Sequence, residues 1–372
     1  MRTVVISDLH LGTRTGGDVL TRPAPRAALL EQVAGADRLV LLGDTLELRH
    51  GPARDVLERA RPVLGALGGA LRPGAEVVLV PGNHDHRLLS AWFDARGRGG
   101  PPPPLGLEQR ITPGEASWIA AEVAGFLAPA VTAVAYPGLC LRDDVFAFHG
   151  HQGDAHTTVP TFERLAAGAV ARIFAALPPD TARPDDYERV LAPLYALQDA
   201  VAERVDPDRA VGPSGASVSV WELLSAGGKE AGVRRRAQGL ALGAALPVGV
   251  AVINRLGLGP VRSDVSPLEL RRSGIAATLE AARRLGIGAP DLIYGHTHRA
   301  GPLPADDPAE WRSPSGGGPS LVNSGCWVHE AAFVRSGPQS PYWPGGLVEL
   351  GDDGPPRLSR LLDGLPATAL LA

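Results

Sequence analysis

Aspartate and histidine residues recur in five short segments of this chain. The segments are Asp8-Leu9-His10, Gly43-Asp44, Gly82-Asn83-His84-Asp85, His149-Gly150-His151 and Gly295-His296-Thr297-His298. Carboxylate, imidazole and amide ligands without thiolate favour Mn, Fe, Zn or a mixed pair over a structural zinc site. Two such ions sharing a bridging anion can activate water and neutralise a phosphate. The segments therefore predict a dinuclear metal hydrolase.

Each segment stands where a buried strand is expected to end. The preceding apolar runs are Val4–Ile6, Leu39–Leu42, Val77–Val80, Val145–Phe148 and Leu292–Tyr294. Such runs are typical of buried strands. Strands that end at one rim of an α/β sheet bring their following loops together. We therefore expect the five segments to converge on one site.

Helix-like segments alternate with strand-like runs in the first part of the chain. Arg26–Ala36 and Ala53–Leu71 predict crossover helices, the second kinked at Pro62. The polar turn Arg142–Asp144, between two apolar runs, predicts an antiparallel hairpin. The sheet is therefore predicted to be mixed.

The middle of the chain has a different pattern. From residue 155 to residue 267 helix-like segments dominate, including Thr161–Leu177 and Asp185–Val205, with a bend expected at Pro193. Strand-like runs return at Asp291–Tyr294, Ser320–Asn323 and Gly346–Leu350. The predicted organisation is a core formed by residues 1–154 and 268–372, with a helical insertion, or cap, at residues 155–267.

One segment of the insertion is strongly apolar. Three arginines, Arg234-Arg235-Arg236, precede a stretch of 18 uncharged residues, 237–254. Arg255 follows this stretch. Glycines and Pro247 interrupt the stretch, which favours a buried or lid helix over a membrane span. Contact of residues 234–255 with a membrane surface or a lipid tail stays open as an alternative.

Composition narrows the class of protein. The chain has 372 residues, 44% of them hydrophobic and 20% charged, which is typical of a globular protein. A net charge of −4 gives no strong nucleic-acid signal. Cys140 and Cys326 offer no disulfide framework, and the first strand-like run begins too early for a secretion signal. We expect a cytoplasmic protein, with membrane association left open.

The order DxH, GD, GNHD, His and GHxH resembles the calcineurin-like metallophosphoesterase superfamily. The resemblance spans Asp8 to His298. It implies an α/β fold with a two-sheet β-sandwich core, flanked by helices and carrying the helical cap. It also implies that Asp44 bridges two divalent ions. The remaining implied ligands are Asp8, His10 and His298 for one ion, and Asn83, His149 and His296 for the other.

The resemblance also implies roles outside the metal ligands. His84 would stabilise the phosphate or protonate the leaving oxygen, and Asp85 would hydrogen-bond and orient His84. A hydroxide shared by the metals would attack phosphorus in line. Glu47 replaces the second aspartate of the common GDxxD. This suggests that Glu47 accepts a hydrogen bond from behind the metal ligands, with a longer reach than aspartate has. Arg87 and His151 are candidate substrate contacts, although exposure at the rim without such a role is an alternative for both.

A more specific resemblance concerns the substrate. Ile6–Leu11, the Gly-Asp-x-x-Glu segment and the insertion before GHxH resemble UDP-2,3-diacylglucosamine hydrolases, although GNHD replaces their GNRD. The implied substrate is lipid-linked, whereas the metal ligands alone fit a phosphomonoester, a phosphodiester or a pyrophosphate. The alternative function is a non-catalytic protein-binding scaffold, which the complete ligand set disfavours.

Overall fold

The computed structural model describes residues 1–98, 100–159, 161–173, 177–204, 250–251, 254–255, 259–264, 266–313, 318–334 and 336–371. The strands are β1 (Thr3–Ile6), β2 (Arg38–Leu42), β3 (Glu76–Val80), β4 (Glu108–Ile111), β5 (Val131–Arg142), β6 (Val145–Phe148), β7 (Asp291–Tyr294), β8 (Ser320–Asn323), β9 (Gly346–Leu350) and β10 (Arg357–Arg360). The α-helices are α1 (Pro23–Val33), α2 (Ala53–Ala70), α3 (Ser90–Arg96), α4 (Pro113–Ala116), α5 (Trp118–Phe126), α6 (Phe162–Ile173), α7 (Pro184–Ala202), α8 (Pro267–Leu285) and α9 (Ala367–Leu371).

The strands form one hydrogen-bonded sheet in the order β10-β9-β1-β2-β3-β5-β6-β7-β8, with β4 pairing β5. β1, β2, β3 and β5 run parallel, as do β6, β7 and β8, whereas β9 lies antiparallel to β1. β5 and β6 form the predicted antiparallel hairpin. The structure therefore confirms a mixed α/β fold, while the two-sheet sandwich stays a prediction.

After their first residues, Thr3, Arg38 and Glu76, the first three strands are apolar at every position because both of their faces are buried. Successive side chains point to opposite faces of a strand. Val4, Leu39 and Val77 belong to a core cluster that includes residues of α1, α2 and α5. Val5, Val40 and Val78 belong to a second cluster with residues of β5, β6, β7 and β9. This double burial produces the continuous runs seen in the sequence.

The predicted helices exist but several of their ends are shifted. α1 begins at Pro23, earlier than the predicted Arg26, because proline is tolerated in a first helical turn whose N–H groups need no intrahelical partner. α2 and α7 contain the internal prolines Pro62 and Pro193. α6 is described as far as Ile173, and residues 174–176 of the predicted Thr161–Leu177 lie outside the described residues.

The described residues group into two compact units. One comprises residues 1–151, 195–204 and 287–371, and the other comprises residues 152–194 and 250–286. These bounds differ from the predicted 155–267, because α8 groups with the second unit and residues 195–204 group with the first. The cap role of the insertion stays a prediction.

The apolar segment of the insertion falls almost wholly outside the description. Of residues 234–255, the structure describes only 250–251 and 254–255. Within the part of the chain that is described, no helix is both long and apolar enough to cross a bilayer.

Candidate metal centre

The five motif segments lie in loops that directly follow β1, β2, β3, β6 and β7. Backbone hydrogen bonds connect these loops. The Asp8 N–H donates to the Gly43 carbonyl at 3.1 Å, and the His10 N–H donates to the Asp44 carbonyl at 2.9 Å. The Gly295 N–H donates to the His149 carbonyl at 3.0 Å. The expected convergence at one edge of the sheet is therefore present.

Potential ligand atoms form groups in which every atom lies within 4.8 Å of the others. Two groups correspond to the two predicted ions; they are Asp8 with His10 and His298, and Asp44 with His149 and His296. Asp44 also groups with His10 and His84, so its carboxylate lies between the two sets.

The spacing of these atoms suits metal ions. His298 Nε2 lies 3.4 Å from Asp8 Oδ1, and His149 Nε2 lies 3.2 Å from Asp44 Oδ2. His10 Nε2 lies 3.1 Å from His298 Nε2. Ligands about 2.1 Å from one ion are roughly 3.0–3.4 Å apart. The groups therefore have the dimensions of coordination shells.

Two polar oxygens in the cluster are short of hydrogen-bond donors. Asp8 Oδ1 is buried without a hydrogen bond. The oxygen of the Asn83 amide faces His296 Nδ1 at 3.1 Å and both Asp44 Oδ2 and His149 Nε2 at 3.2 Å. An amide nitrogen turned toward these atoms would hydrogen-bond better, whereas a cation among them favours the oxygen. The residues therefore fit a bound metal.

The backbone of the ligand residues is strained. Among the described residues, the non-glycine positions with positive φ are Asp8 (54°), His10 (45°), Asp44 (50°), His296 (64°) and His298 (58°). Each such residue costs about 1–3 kcal/mol and persists only where its surroundings enforce it. All five are predicted metal ligands. The strained backbone positions therefore lie at the predicted metal centre.

Glycine is required beside the ligands because the loops approach each other closely. A Cβ on Gly43 would lie 2.1 Å from His149 Nδ1, at a φ of +84°. A Cβ on Gly82 would lie 2.3 Å from Asp44 Oδ1. The glycines of the GD and GNHD motifs therefore permit the ligands to meet.

Two of the histidines are oriented by partners on their far side. His10 Nδ1 contacts Glu47 Oε2 at 2.8 Å, and His149 Nδ1 donates to the Leu42 carbonyl at 2.9 Å. These contacts leave Nε2 of both rings directed at the ligand groups, as is usual for metal-binding histidines. The role suggested for Glu47, as an acceptor behind the metal ligands, agrees with its contact with His10.

Negative charge in the cluster attracts protons to these histidines. Burial opposes the charged form of His149, but the Asp44 and Asp8 carboxylates raise its pKa to about 10. Burial likewise opposes charge on His10, while Glu47 and the same two aspartates raise its pKa to about 9. Burial acts to raise the pKa of Asp44, but the neighbouring histidines hold that pKa well below its usual value. The cluster is therefore a site for positive charge.

The predicted role of Asp85 is wrong in its detail. No hydrogen bond joins the Asp85 carboxylate to the His84 ring; the carboxylate accepts the N–H groups of Gly82 and Thr45 at 2.7 Å, and of Asp44 and Leu46 at 3.3 Å. The carboxylate that holds His84 is Glu47, at 2.9 Å from His84 Nδ1. The side chain of glutamate is one methylene longer than that of aspartate, which lets the Glu47 carboxylate reach the His84 ring.

Sequence reasoning missed Arg49, which contacts the same histidine. Arg49 Nη1 donates to His84 Nε2 at 3.1 Å, and its Nη2 donates to the Asn83 carbonyl at 2.8 Å. Burial, together with this guanidinium, lowers the pKa of His84 to about 4. The sequence signal that could have identified Arg49 as a site residue is its position two residues after Glu47.

The two predicted substrate contacts have different surroundings. Arg87 Nη1 forms an ion pair with Glu203 Oε1 at 2.5 Å. His151 is buried, with its ring 5.6 Å from that of His149 and 5.9 Å from that of Tyr195. Neither residue belongs to a ligand group. Their contact with substrate stays a prediction.

Residues 1–171 match the family model for calcineurin-like phosphoesterases. Over these residues, just under half of the chain, the chain is similar to that family. The match includes the segments from Asp8 to His151, and His296 and His298 follow it in sequence and join the same ligand groups. The match supports a hydrolase that acts on phosphoester bonds.

The other comparisons are less informative. No curated protein matches the chain. A solved structure, the cold-active protein-tyrosine phosphatase of the psychrophile Shewanella sp., aligns with 96% of this chain and 80% of its own at 14% identity. Its TM-score of 0.30 is too low to bear on fold or activity.

Proposed function

We propose that this calcineurin-like phosphoesterase uses two divalent ions, of Mn, Fe or Zn, to hydrolyse a phosphomonoester, a phosphodiester or a pyrophosphate. The observation that carries the proposal is the placement of Asp44 between two groups of ligand atoms. Two ions held there would lower the pKa of a water toward neutrality and neutralise phosphate oxygens.

The chain supplies the coordination and its orientation. Asp8, His10 and His298 would hold one ion, and Asn83, His149 and His296 the other. Both ions would share the negative charge of the Asp44 carboxylate. Glu47 fixes both His10 and His84 through one carboxylate, so it couples the position of a metal ligand to that of the catalytic histidine.

His84 and Arg49 would act on the phosphate. With its Nδ1 hydrogen on Glu47, His84 presents Nε2 as an acceptor to Arg49. The guanidinium must therefore leave Nε2 before that nitrogen can hold a proton for the leaving oxygen. An arriving phosphate provides the competing acceptor, because arginine binds phosphate oxygens in a bidentate manner.

The substrate proposal extends to a lipid-linked phosphate. Its support is the resemblance of the Ile6–Leu11 motif and the helical insertion to lipid hydrolases, and the apolar run at residues 237–254. A peripheral membrane contact through residues 234–255 belongs to the same proposal.

The decisive experiment combines metal analysis with a substrate panel. We expect the protein to bind two ions, to hydrolyse one phosphate class preferentially, and to lose activity in chelator. Asp44→Asn should lose metal and at least about 10²-fold in kcat, because it weakens the charge shared by both ions. The exposed Asp143→Asn is the matched control. Full activity of Asp44→Asn, or activity unaffected by chelator, would contradict the proposal.

A further inference from the structure

Arg164, in the helical unit, is a buried cation without an acidic partner among the residues that the structure describes. Its side chain is only 1% exposed. Its Nε donates to the Thr157 carbonyl at 3.1 Å, whereas its buried Nη1 makes no hydrogen bond. Burial lowers its pKa, and no carboxylate of the described residues offsets this effect. An unpaired buried guanidinium costs several kcal/mol, so an anionic partner is expected.

The position of the guanidinium suits an anion. Arg164 lies in the first turn of α6, and its N–H donates to Thr161 Oγ1 at 3.1 Å. The contact of Nε with Thr157 shows that the side chain runs back past the start of the helix. The positive end of the helix dipole and the guanidinium therefore act in the same region.

A group of hydroxyls at Thr157 provides an independent indication. Ser273 Oγ lies 2.8 Å from Thr157 Oγ1 and 3.0 Å from Thr158 Oγ1, and it accepts the Thr158 N–H at 2.8 Å. The three hydroxyl groups carry three hydrogens. They form two hydroxyl–hydroxyl hydrogen bonds, and each of these bonds uses one hydrogen. One hydrogen is therefore left without an acceptor among the described residues.

Two carboxylates of this unit have other partners. Glu280 accepts from Arg283 at 2.8 Å and from Arg284 at 2.7 Å. Glu269 pairs with Arg262 at 3.0 Å. Thr157 links the arginine to the hydroxyl group, because its carbonyl accepts from Arg164 Nε while its Oγ1 pairs with Ser273.

We propose that Arg164, with the Thr157, Thr158 and Ser273 hydroxyls, forms a binding site for a phosphate-like oxyanion within the helical unit. A tetrahedral oxyanion matches a guanidinium and hydroxyl donors that converge from different residues. The oxyanion is either free phosphate or a phosphate headgroup. The proposal is independent of the metal centre.

The test uses the full-length protein in chelator, so that phosphate cannot bind through metals. Inorganic phosphate should raise the thermal unfolding midpoint and bind measurably in calorimetry. Arg164→Met should weaken phosphate binding at least about 10-fold, as expected when a charged donor is lost. The same variant should unfold no earlier than wild type in phosphate-free buffer, since it removes an unpaired charge. Arg172→Met, an exposed arginine of the same helix, is the control.

Further variants and ligands keep the test decisive. Ser273→Ala should weaken phosphate binding without changing charge, which covers the case in which Arg164→Met does not fold. Vesicles of phosphatidylcholine with phosphatidic acid, compared with phosphatidylcholine alone, distinguish a headgroup from free phosphate. If the wild type binds neither ligand, or if Arg164→Met binds phosphate normally, the site is wrong. Early unfolding of Arg164→Met in phosphate-free buffer would also overturn it, by showing that the chain itself neutralises the arginine.

Discussion

At the scale of single residues, two aspartates in adjacent motifs have different tasks because of what surrounds them. Asp44 faces histidines, whereas Asp85 faces backbone N–H groups of the GD and GNHD loops. The sequence predicted that Asp85 would reach His84 and left the partner of Glu47 unnamed. Only the packing of the two loops decides between them, since side-chain reach depends on where the backbones lie.

Asp85→Asn should act mainly on stability. The substitution turns an acceptor of several N–H groups into an amide that also donates, and a lost charged hydrogen bond costs about 1.5–3 kcal/mol. We expect a loss of that order in urea unfolding of the chelated protein, with Asp143→Asn unchanged. Unaltered stability with a specific loss of kcat would instead favour direct action on His84.

Metal binding should release protons near neutral pH. In the metal-free protein, the pKa values of about 9 for His10 and about 10 for His149 keep both rings charged at pH 7, whereas metal ligation needs them neutral. Calorimetry in buffers with different ionisation enthalpies measures the release. Binding heats that do not depend on the buffer would contradict this expectation.

The same shifts predict how stability depends on pH. A histidine with a raised pKa stabilises the fold fully below its unfolded pKa of about 6.5. That contribution is lost as pH rises through the folded values, about 9 for His10 and about 10 for His149. Urea unfolding of chelated protein should therefore show falling stability from pH 6.5 to 10. Equal stability across this range would show that the two histidines are not charged.

At the scale of elements, the strands that precede the five motif segments were predictable to within a residue or two, whereas β4, β10 and the loops were not. Apolar runs located β1, β2 and β3 because both faces of these strands are buried. The positive φ values of Asp8 and Asp44 have only a weak signal in residue type, since aspartate adopts such values more often than most non-glycine residues but still uncommonly. They arise from contacts between loops that are distant in sequence.

Gly43→Ala and Gly74→Ala separate the effect of close approach from the effect of φ. Gly43 and Gly74 have φ values of +84° and +78°, but only Gly43 has an atom within 4 Å of the added Cβ. Gly74→Ala should cost about 1 kcal/mol of stability and keep both metals. Gly43→Ala should cost more and lose metal, as measured by unfolding and elemental analysis. Similar results for the two variants would contradict a packing role for Gly43.

At the scale of the whole molecule, the described core is completed from both sides of the insertion. β6 pairs with β7 in parallel, with Ala147 opposite Ile293, and this register places the His149 and His296 loops next to each other. The order of motifs allowed this convergence to be predicted. The grouping of residues 195–204 with the core was not predicted, because a single helix pattern, that of α7, runs across the boundary.

The apolar segment gives a prediction about substrate preference. If residues 237–254 accept a lipid tail, replacing Leu246 and Val250 with Asp should reduce hydrolysis of a lipid-linked phosphate far more than that of a small phosphoester. Comparing kcat/KM for both substrates measures this. Equal losses would indicate a role in folding instead.

The pairing of β6 with β7 also sets the timing of metal binding during synthesis. His296 follows His149 by 147 positions, so at about 5–20 residues per second the ribosome completes the ligand set roughly 7–30 s after its first five members emerge. Until then, each ion of the proposed pair lacks one histidine: His298 for the first and His296 for the second. On the proposed ligand assignment, the nascent chain can therefore complete neither ligand group until His296 and His298 have been added.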